Sequence, residues 1–151
     1  LEERNKLWQA RHDAYWAGRA FRPGCTVHST DACVPISRLA ECIGETRDDL
    51  DQCDLVAPIL GHVGDGNFHV VLLLDDKADE IARAKGFVER LSARAIRMGG
   101  TCTGEHGIGQ GKQRYLRDEL GDSVDMMIAI KRALDPDNIL NPGKIFPLQP
   151  A

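Results

Sequence analysis

Hydrophobic and polar positions divide the chain into two kinds of segment. Long segments repeat their apolar residues every three or four positions, as one face of a helix requires, whereas short continuous apolar runs have the length of buried strands. The predicted helices cover residues 1–20, 35–52, 75–98, 112–119 and 122–134, and the predicted strands cover 25–34, 55–60, 68–74 and 101–103. In three helices the residues expected to face the core are Ile36, Leu39, Ile43, Thr46 and Leu50, then Ile81, Ala84, Val88, Leu91 and Ala95, then Val124, Met127, Ile128 and Leu134.

The order of these elements predicts an α+β fold with a ferredoxin-like split βαβ sheet, flanking helices and a helical C-terminal tail. A first helix is followed by strand, helix, strand, strand and helix, and the short strand at 101–103 completes the unit. The length of 151 residues is that of one domain. Both faces of the strand at 68–74 are apolar. Because helices normally cover one face of such a sheet, we expect a ligand pocket or another domain on the other.

A tight hairpin is predicted where the strands at 55–60 and 68–74 meet. The Asp65-Gly66 pair is a strong two-residue turn signal, because a type I′ turn needs positive φ at both central positions. With that loop His62 lies opposite His69, and directly paired residues have Cβ atoms about 4.5–5.5 Å apart. Two imidazoles at this separation can hold one metal ion. The alternative is that each histidine only forms hydrogen bonds near a turn.

A second informative segment is the glycine-rich stretch 101–112, which carries Glu105 beside His106. Its glycines permit a backbone path that other residues cannot follow. A phosphate-binding loop is excluded, because His106 stands where the first glycine belongs and Gln113 stands where serine or threonine belongs. The dinucleotide-binding pattern is also absent, since Gly107-x-Gly109 is not followed by glycine at position 112.

Glu105 is the best third ligand for an ion held by His62 and His69. Two imidazoles and one carboxylate leave coordination positions open, as catalytic metal sites do and structural sites do not. Such an ion can bind the hydroxyl and carboxylate of a hydroxy acid and lower the pKa of that hydroxyl. His106 is then the candidate base, and Arg11 the candidate partner of the substrate carboxylate. The alternatives are a merely polar loop at Glu105-His106 and a surface position for Arg11.

Composition narrows the class of protein further. The net charge of −4 and the scattered basic residues argue against nucleic-acid binding. No apolar segment approaches the roughly 20 residues that span a bilayer, and no signal-peptide pattern precedes the first helix. Five cysteines without a Cys-x-x-Cys motif indicate free thiols in a reducing compartment. We therefore expect a cytoplasmic protein, or one of the mitochondrial matrix in a eukaryote. The uncapped helix at the first residue is typical of a piece of a longer protein.

Three motifs together resemble the C-terminal domain of the FAD-linked oxidases. They are His62-Val-Gly-Asp-Gly-Asn-Phe-His69, Thr103-Gly-Glu-His-Gly-Ile-Gly109 and Leu134-Asp-Pro-Asp-Asn-Ile-Leu-Asn-Pro-Gly-Lys144. This group includes the cytochrome-type D-lactate dehydrogenase, the glycolate oxidase large subunit and D-2-hydroxyglutarate dehydrogenase. The resemblance spans essentially all 151 residues. It implies that residues 1–151 form the substrate- and metal-binding domain of a flavoprotein. The FAD-binding domain, of the vanillyl-alcohol-oxidase type, would then lie N-terminal to this chain.

The resemblance also implies a reaction and the residues that perform it. It assigns a divalent ion, zinc or manganese, to His62, His69 and Glu105. His106 becomes the catalytic histidine, which also contacts the substrate. The implied reaction oxidises a D-2-hydroxy acid to the 2-oxo acid, with hydride transfer to FAD. Because most of the flavin site belongs to the other domain, this chain alone is expected to be inactive.

For substrate and cofactor, the resemblance assigns the substrate carboxylate to Arg11 and flavin contacts to Asn67, Asn141 and Lys144. The 2-hydroxyglutarate branch of the family carries asparagine two residues after the second histidine, where this chain has Val71. An apolar side chain that faces the pocket cannot satisfy a second carboxylate. We therefore expect D-lactate, or another monocarboxylic D-2-hydroxy acid, as the substrate bound beside Val71.

Two other functions are compatible with the residues alone. In a metal-dependent hydrolase the ion would activate water, although the closing Asn-Pro-Gly-Lys has no role there. In a non-catalytic binding or oligomerisation module, the sheet would form the interface and the histidines would be structural. In the main hypothesis the partners are a small 2-hydroxy acid and the FAD-binding domain of the same protein. A homo-oligomer is left open, and neither nucleic acid nor a membrane span is expected.

Overall fold

A computed structural model describes residues 1–146 and residue 148, and it has the predicted α+β fold. Its helices are α1 (Glu2–Arg19), α2 (Ile36–Cys53), α3 (Ala78–Arg97), α4 (Leu116–Leu120) and α5 (Ser123–Leu134), and a 3₁₀ turn at Gln113–Tyr115 precedes α4. Its strands are β1 (Thr26–Ser29), β2 (Ala32–Cys33), β3 (Ile59–His62) and β4 (Asn67–Leu74). The helix predicted at 112–119 is thus divided into a 3₁₀ turn and a short α-helix.

The sheet is antiparallel and has β4 at its centre. On one side β4 pairs with β1 and β2, and on the other side with β3. The predicted strand at 25–34 is interrupted at Thr30, whose hydroxyl accepts a hydrogen bond from the backbone N–H of Val70. The same register continues on both sides of this interruption. The strand predicted at 101–103 is reduced to a single bridge between Thr101 and Cys33.

The hairpin between β3 and β4 differs from the prediction by two residues. His62 pairs with Asn67, and His69 pairs with Leu60, so the loop contains the four residues 63–66 instead of Asp65-Gly66 alone. A type I′ turn needs positive φ at both central residues, but of this pair only Gly66 adopts it, at +75°. Because side chains alternate faces along a strand, a shift of two residues leaves both histidines on the same face of the sheet.

The main core lies between the sheet and helices α2 and α3. Alternate residues of β4 face these helices and are nearly or fully buried: Phe68, Val70, Leu72 and Leu74. They pack against Leu39, Cys42, Leu50, Ala84, Phe87, Leu91 and Ala95. Most predicted core positions of α2 and α3 are confirmed. Ile36 is wrong, because it lies in the first turn of α2 and is 63% exposed.

An ion-pair network joins α2 to α3 beside this core. Asp49 accepts hydrogen bonds from Arg90 at 2.7 Å and from Arg94 at 2.8 Å. Asp49 and Arg94 are both buried, and Arg94 also donates to the hydroxyl of Thr46. The two helices are therefore held by charge-assisted hydrogen bonds as well as by apolar contacts.

The opposite face of the sheet has a smaller apolar cluster, in which Val71 and Leu73 pack with Cys25. Helix α1 approaches this face through Gly18, where a Cβ atom would lie 2.9 Å from Pro58. Gly18 is the one residue of α1 that is buried. The histidine face is therefore covered by a single loosely buried helix, which leaves space for the cavity described below.

The C-terminal residues form a third cluster, in which Leu116, Val124 and Phe146 are buried. Val124 is confirmed as a core position, whereas Leu134, the last residue of α5, is 78% exposed and was predicted wrongly. The backbone N–H of Ile145 donates to the carbonyl of Gly109 at 2.7 Å. The tail is thus tied to the glycine-rich loop.

Two further expectations concern the whole chain. All five cysteines are free thiols, as predicted. Across residues 1–146 and 148, every helix is too short or too polar to cross a membrane.

Candidate metal and substrate site

The two histidines of the hairpin converge with Glu105 on the α1 side of the sheet. Their ring centroids are 5.7 Å apart, with the rings nearly perpendicular. Glu105 reaches them from the glycine-rich loop, with Oε1 at 3.7 Å from His62 Nε2 and 2.6 Å from His69 Nε2. One donor atom from each of the three residues lies within 4.8 Å of the others. The structure therefore brings together the three residues that were predicted as metal ligands.

Glu105 lies close enough to each histidine to share one divalent ion with it. Two ligand atoms that each lie about 2.0–2.1 Å from one ion are no more than about 4.2 Å apart. The distances from Glu105 Oε1 to the Nε2 atoms of His62 and His69 are both shorter than that. Imidazole and carboxylate suit zinc and manganese alike. Three protein ligands leave positions open for a substrate.

The hydrogen bonds of His69 define how this residue can bind a cation. Its Nδ1 lies 2.9 Å from the carbonyl of Thr30, which can only accept, so Nδ1 carries a proton. Its Nε2 faces the Glu105 carboxylate at 2.6 Å. Two acceptors at this distance need a positive charge between them, either a second proton or a metal ion. Backbone hydrogen bonding of the remote ring nitrogen is the usual way in which proteins orient a histidine ligand.

His62 has a different partner. Its Nδ1 lies 2.9 Å from Nη2 of Arg11, and because arginine only donates, this Nδ1 has to accept. The proton of the neutral ring is then on Nε2, the atom that faces Glu105. If Nε2 binds a metal ion, the ring proton moves to Nδ1 and the hydrogen bond with Arg11 is lost. Arg11 and a metal ion therefore compete for His62.

Next to the histidines lies an open cavity of about 390 Å³. Its lining includes Arg11 and Tyr15 from α1, His62 and His69 from the hairpin, and Val71 from β4. The guanidinium of Arg11 lies 5.6 Å from the ring centroid of Trp8. The cavity thus combines a cation, an apolar wall and the metal candidates.

His106 lies next to His69, with the two rings stacked at 5.2 Å between centroids and only 12° between planes. It lines a second cavity, of about 250 Å³, which shares Ser29 with the first. His106 is exposed and belongs to the same loop as Glu105. One loop therefore carries both the predicted third ligand and the predicted base.

Sequence reasoning missed Asp31, which organises this loop. Its buried carboxylate accepts hydrogen bonds from the backbone N–H groups of Glu105 and His106 and from the hydroxyl of Thr103. Burial acts to raise the pKa of Asp31, but these bonds and the nearby Lys112 outweigh it and lower the pKa to about 2. The only signal in the sequence was an acidic residue inside a strand-forming segment.

The three residues predicted to contact the flavin lie in two places. Asn67 is buried below the loop, and a Cβ atom at Gly104 would lie only 2.3 Å from its Oδ1, which has no hydrogen-bond partner in the described residues. Asn141 and Lys144 are exposed in the tail. Gln113 donates to the carbonyl of Gly143 at 2.6 Å and so fixes this part of the tail to the loop.

Known proteins that resemble this chain include D-lactate dehydrogenases and a glycolate oxidase subunit. It is 54% identical over 149 residues to the probable mitochondrial D-lactate dehydrogenase of Danio rerio, covering 97% of this chain and 30% of that protein. It is 44% identical over 151 residues to the mitochondrial cytochrome-type D-lactate dehydrogenase of Arabidopsis thaliana, covering 97% and 26%. Identity to the glycolate oxidase subunit GlcD of Bacillus subtilis is 40% over 147 residues, covering 96% and 31%. The chain spans at most 31% of the length of these three relatives.

The family assignment depends on the whole domain and not on one motif. Residues 1–145 match the family described as FAD linked oxidases, C-terminal domain. This range includes the two histidines, the Glu105-His106 pair and the Asn-Pro-Gly-Lys tail. The resemblance predicted from these motifs is confirmed. This chain belongs to the FAD linked oxidase C-terminal domain family.

Proposed function

We propose that this chain is the substrate- and metal-binding domain of a FAD-dependent D-2-hydroxy-acid dehydrogenase, with D-lactate as its substrate. The observation that carries the proposal is the convergence of His62, His69 and Glu105 beside a cavity lined by Arg11 and Val71. The names of the D-lactate dehydrogenases that resemble the chain support the same reaction. Residues 1–151 act as one domain of a longer protein, whose FAD-binding domain lies outside this chain.

The residues of this chain position the substrate and move one proton. Arg11 binds the substrate carboxylate through two parallel hydrogen bonds. His106 accepts the proton of the C2 hydroxyl as general base. The contribution of these residues to the rate comes from orientation and fixed charge.

His62, His69 and Glu105 would hold the divalent ion, and Asn67, Asn141 and Lys144 would face the flavin. The chemistry that these groups supply when bound is polarisation of the substrate hydroxyl by the ion and acceptance of a hydride by the flavin. Zinc and manganese both suit the ligand set.

Substrate choice depends on the apolar wall of the cavity. Val71 is 2% exposed and lies two residues after His69 on the same face of β4. It offers no hydrogen bond to a second carboxylate, whose desolvation would go uncompensated. This favours a short monocarboxylic acid over a dicarboxylic one.

The proposal has one consequence for the isolated chain and one for the full protein. The isolated chain lacks flavin-dependent D-lactate oxidation, because most of the hydride acceptor's site belongs to the other domain. Detectable activity of the chain alone would contradict this. We also propose a mitochondrial location, because two D-lactate dehydrogenases that resemble the chain carry that location in their names.

Metal analysis of the purified chain tests the proposal. The chain should retain about one zinc or manganese ion after dialysis, and His62→Ala or His69→Ala should abolish this retention. His12→Ala, which changes an exposed histidine of α1, is the matched control and should retain the metal. Equal metal content in all four proteins would overturn the site. That result would favour the alternative in which this domain is a non-catalytic binding or oligomerisation module.

A further inference from the structure

A single buried carboxylate holds the loop that supplies Glu105. Asp31 is 4% exposed and lies between β1 and β2. It accepts hydrogen bonds from the Thr103 hydroxyl at 2.9 Å, from the Glu105 backbone N–H at 3.1 Å and from the His106 backbone N–H at 2.8 Å. Three hydrogen-bond donors from residues 103–106 therefore converge on the Asp31 carboxylate. Asp31 itself lies outside the three sequence motifs.

The far end of the loop is tied to the same residue. Nζ of Lys112 donates to the backbone carbonyl of Asp31 at 3.1 Å and lies 3.4 Å from its carboxylate. Between Thr103 and Lys112 the chain contains four glycines, and the backbone freedom of glycine makes such a segment costly to order. Any rearrangement of the loop would leave the buried Asp31 charge without partners, which is strongly unfavourable. Asp31 thus opposes the flexibility of the glycines.

The neighbouring residue supports the second ligand. The carbonyl of Thr30 lies 2.9 Å from His69 Nδ1, and the Thr30 hydroxyl accepts from the backbone N–H of Val70. The pair Thr30-Asp31 therefore holds His69 from one side and the backbone of Glu105 from the other. Thr30 thus orients the His69 ring, and Asp31 holds the backbone from which the Glu105 carboxylate reaches His69 Nε2 at 2.6 Å.

We propose that Asp31 is a positioning residue of the metal site, which fixes the Glu105 carboxylate opposite His69 before any ion is bound. This inference rests on the proposed function, since it assumes that the three residues hold a divalent ion. Partners of metal ligands typically contribute a factor of about 10–100 to metal affinity. We expect Asp31→Asn to weaken metal binding by that factor, because the amide nitrogen cannot accept the loop N–H groups.

A double-mutant cycle on the purified chain tests this inference. The dissociation constant for Zn²⁺ and for Mn²⁺ is measured by titration calorimetry for the unchanged chain, Asp31→Asn, Glu105→Gln and the double variant. If Asp31 acts through Glu105, then Asp31→Asn has no further effect in the Glu105→Gln background. Asp49→Asn is the matched control, because it also neutralises a buried aspartate with several donors, at the α2–α3 interface. It should leave metal affinity unchanged.

The outcomes separate the inference from the proposed function. If the unchanged chain binds neither ion, the proposed metal site fails. Two other results would overturn only the positioning role of Asp31. In one, the unchanged chain and the Asp31→Asn variant bind the metal with equal affinity. In the other, Asp31→Asn weakens metal binding by the same factor with and without Glu105→Gln. Should Asp31→Asn not fold, Thr103→Val removes one donor and leaves the others. It should weaken binding roughly 2–10-fold, again only when Glu105 is present, and unchanged binding would overturn the role.

Discussion

Val71 is the residue on which substrate choice is proposed to depend, so its replacement gives a direct test. In the full-length protein, Val71→Asn places an amide donor in the cavity beside His69. We expect kcat/KM for D-lactate to fall about tenfold and kcat/KM for D-2-hydroxyglutarate to rise, since one pocket group changes discrimination by about 1–3 kcal/mol. Steady-state kinetics with both substrates measure the ratio. Val63→Asn, on the exposed hairpin loop, is the control, and an unchanged ratio in Val71→Asn would contradict the role.

Arg11 gives a second prediction at this scale, because it competes with a metal ion for His62. Arg11→Met removes the donor to His62 Nδ1 and leaves a side chain of similar length. We expect the zinc affinity of the purified chain to rise roughly 2–10-fold, since a hydrogen bond of about 0.5–1.5 kcal/mol no longer has to be broken. Titration calorimetry measures the change, with Arg4→Met on the same helix as control. Weaker zinc binding in Arg11→Met would show that Arg11 supports the ligand instead of competing with the ion.

Chemical type and the alternation of faces along a strand were enough to group His62 with His69. Glu105 was added because it lies in a flexible glycine-rich loop. The same reasoning could not find Asp31. Its role depends on backbone N–H groups more than 70 residues away, and backbone donors carry no signature in the sequence. The contact of Arg11 with His62 was missed for a related reason, since the crossing of α1 over the sheet is set by packing at Gly18.

At the scale of elements, the hairpin loop holds the metal candidates in place, and Gly66 is its critical residue. A Cβ atom at position 66 would lie 2.0 Å from the carbonyl oxygen of Val34, in addition to the positive φ. We expect Gly66→Ala to lower the free energy of unfolding by about 1–2 kcal/mol from the backbone alone, and by more if Val34 has to move. Denaturant unfolding measures the loss. Gly64→Ala has open space around its Cβ and should be near neutral, so similar losses in both variants would contradict the argument.

The hairpin also shows where prediction from sequence ends at this scale. The Asp65-Gly66 signal located the turn correctly, and the alternation of faces gave the correct side for both histidines. The loop length was wrong, because the backbone N–H of Val34 donates to the Gly66 carbonyl and ties the turn to the residue that follows β2. A tertiary hydrogen bond of this kind overrides local turn preference.

The network between α2 and α3 predicts how stability depends on pH. Burial acts to raise the pKa of Asp49, but hydrogen bonds from Arg90 and Arg94 outweigh it and leave the pKa below its usual 3.8. A lowered folded-state pKa means that the charged form stabilises the fold above pH 3.8, and that this stability is lost as pH falls below that value. Asp49→Asn should therefore cost about 1.5–3 kcal/mol at pH 6.

Urea unfolding at a series of pH values checks this prediction. The difference between the unchanged chain and Asp49→Asn should be constant from about pH 7 to pH 5 and should shrink below the ordinary pKa of aspartate. The exposed Asp48→Asn on the same helix should show little difference at any pH. A difference for Asp49→Asn that grows as pH falls would reverse the sign and refute the argument.

At the scale of the whole molecule, the two faces of the sheet are unequally covered. The face under α2 and α3 has a continuous core, whereas the histidine face has a small cluster and the single helix α1. The sequence predicted an unequal cover, because both faces of β4 are apolar and helices normally cover only one face of such a sheet. A ligand pocket or another domain was therefore expected on the other face. The sequence did not predict how little of α1 would be buried, since aromatic residues at helical spacing normally mark a core face.

The weak anchoring of α1 leads to a prediction about its dynamics in the isolated chain. Gly18 is its one buried residue, and Leu7, Trp8 and Trp16 are more than half exposed. Most of the stability of a helix in a protein comes from tertiary packing. Because α1 has little of it, local opening of this helix should require little free energy. We expect the amides of α1 to exchange with deuterium at least about tenfold faster than those of α2 and α3, which corresponds to about 1.4 kcal/mol. Exchange followed by mass spectrometry measures this.

Adding zinc to the isolated chain extends the test to the site. Its ligands lie on the hairpin and the glycine-rich loop, so zinc should slow exchange at 59–74 and 101–112 and leave α1 unprotected. Arg11 is then displaced from His62, which removes one of the few contacts of α1. The helix that carries the proposed carboxylate-binding residue would therefore be mobile until substrate binds. Two results would contradict the weak anchoring of α1. The amides of α1 could be as protected from exchange as those of α2, or zinc alone could increase their protection. Either result requires contacts that hold α1 to the sheet independently of Arg11.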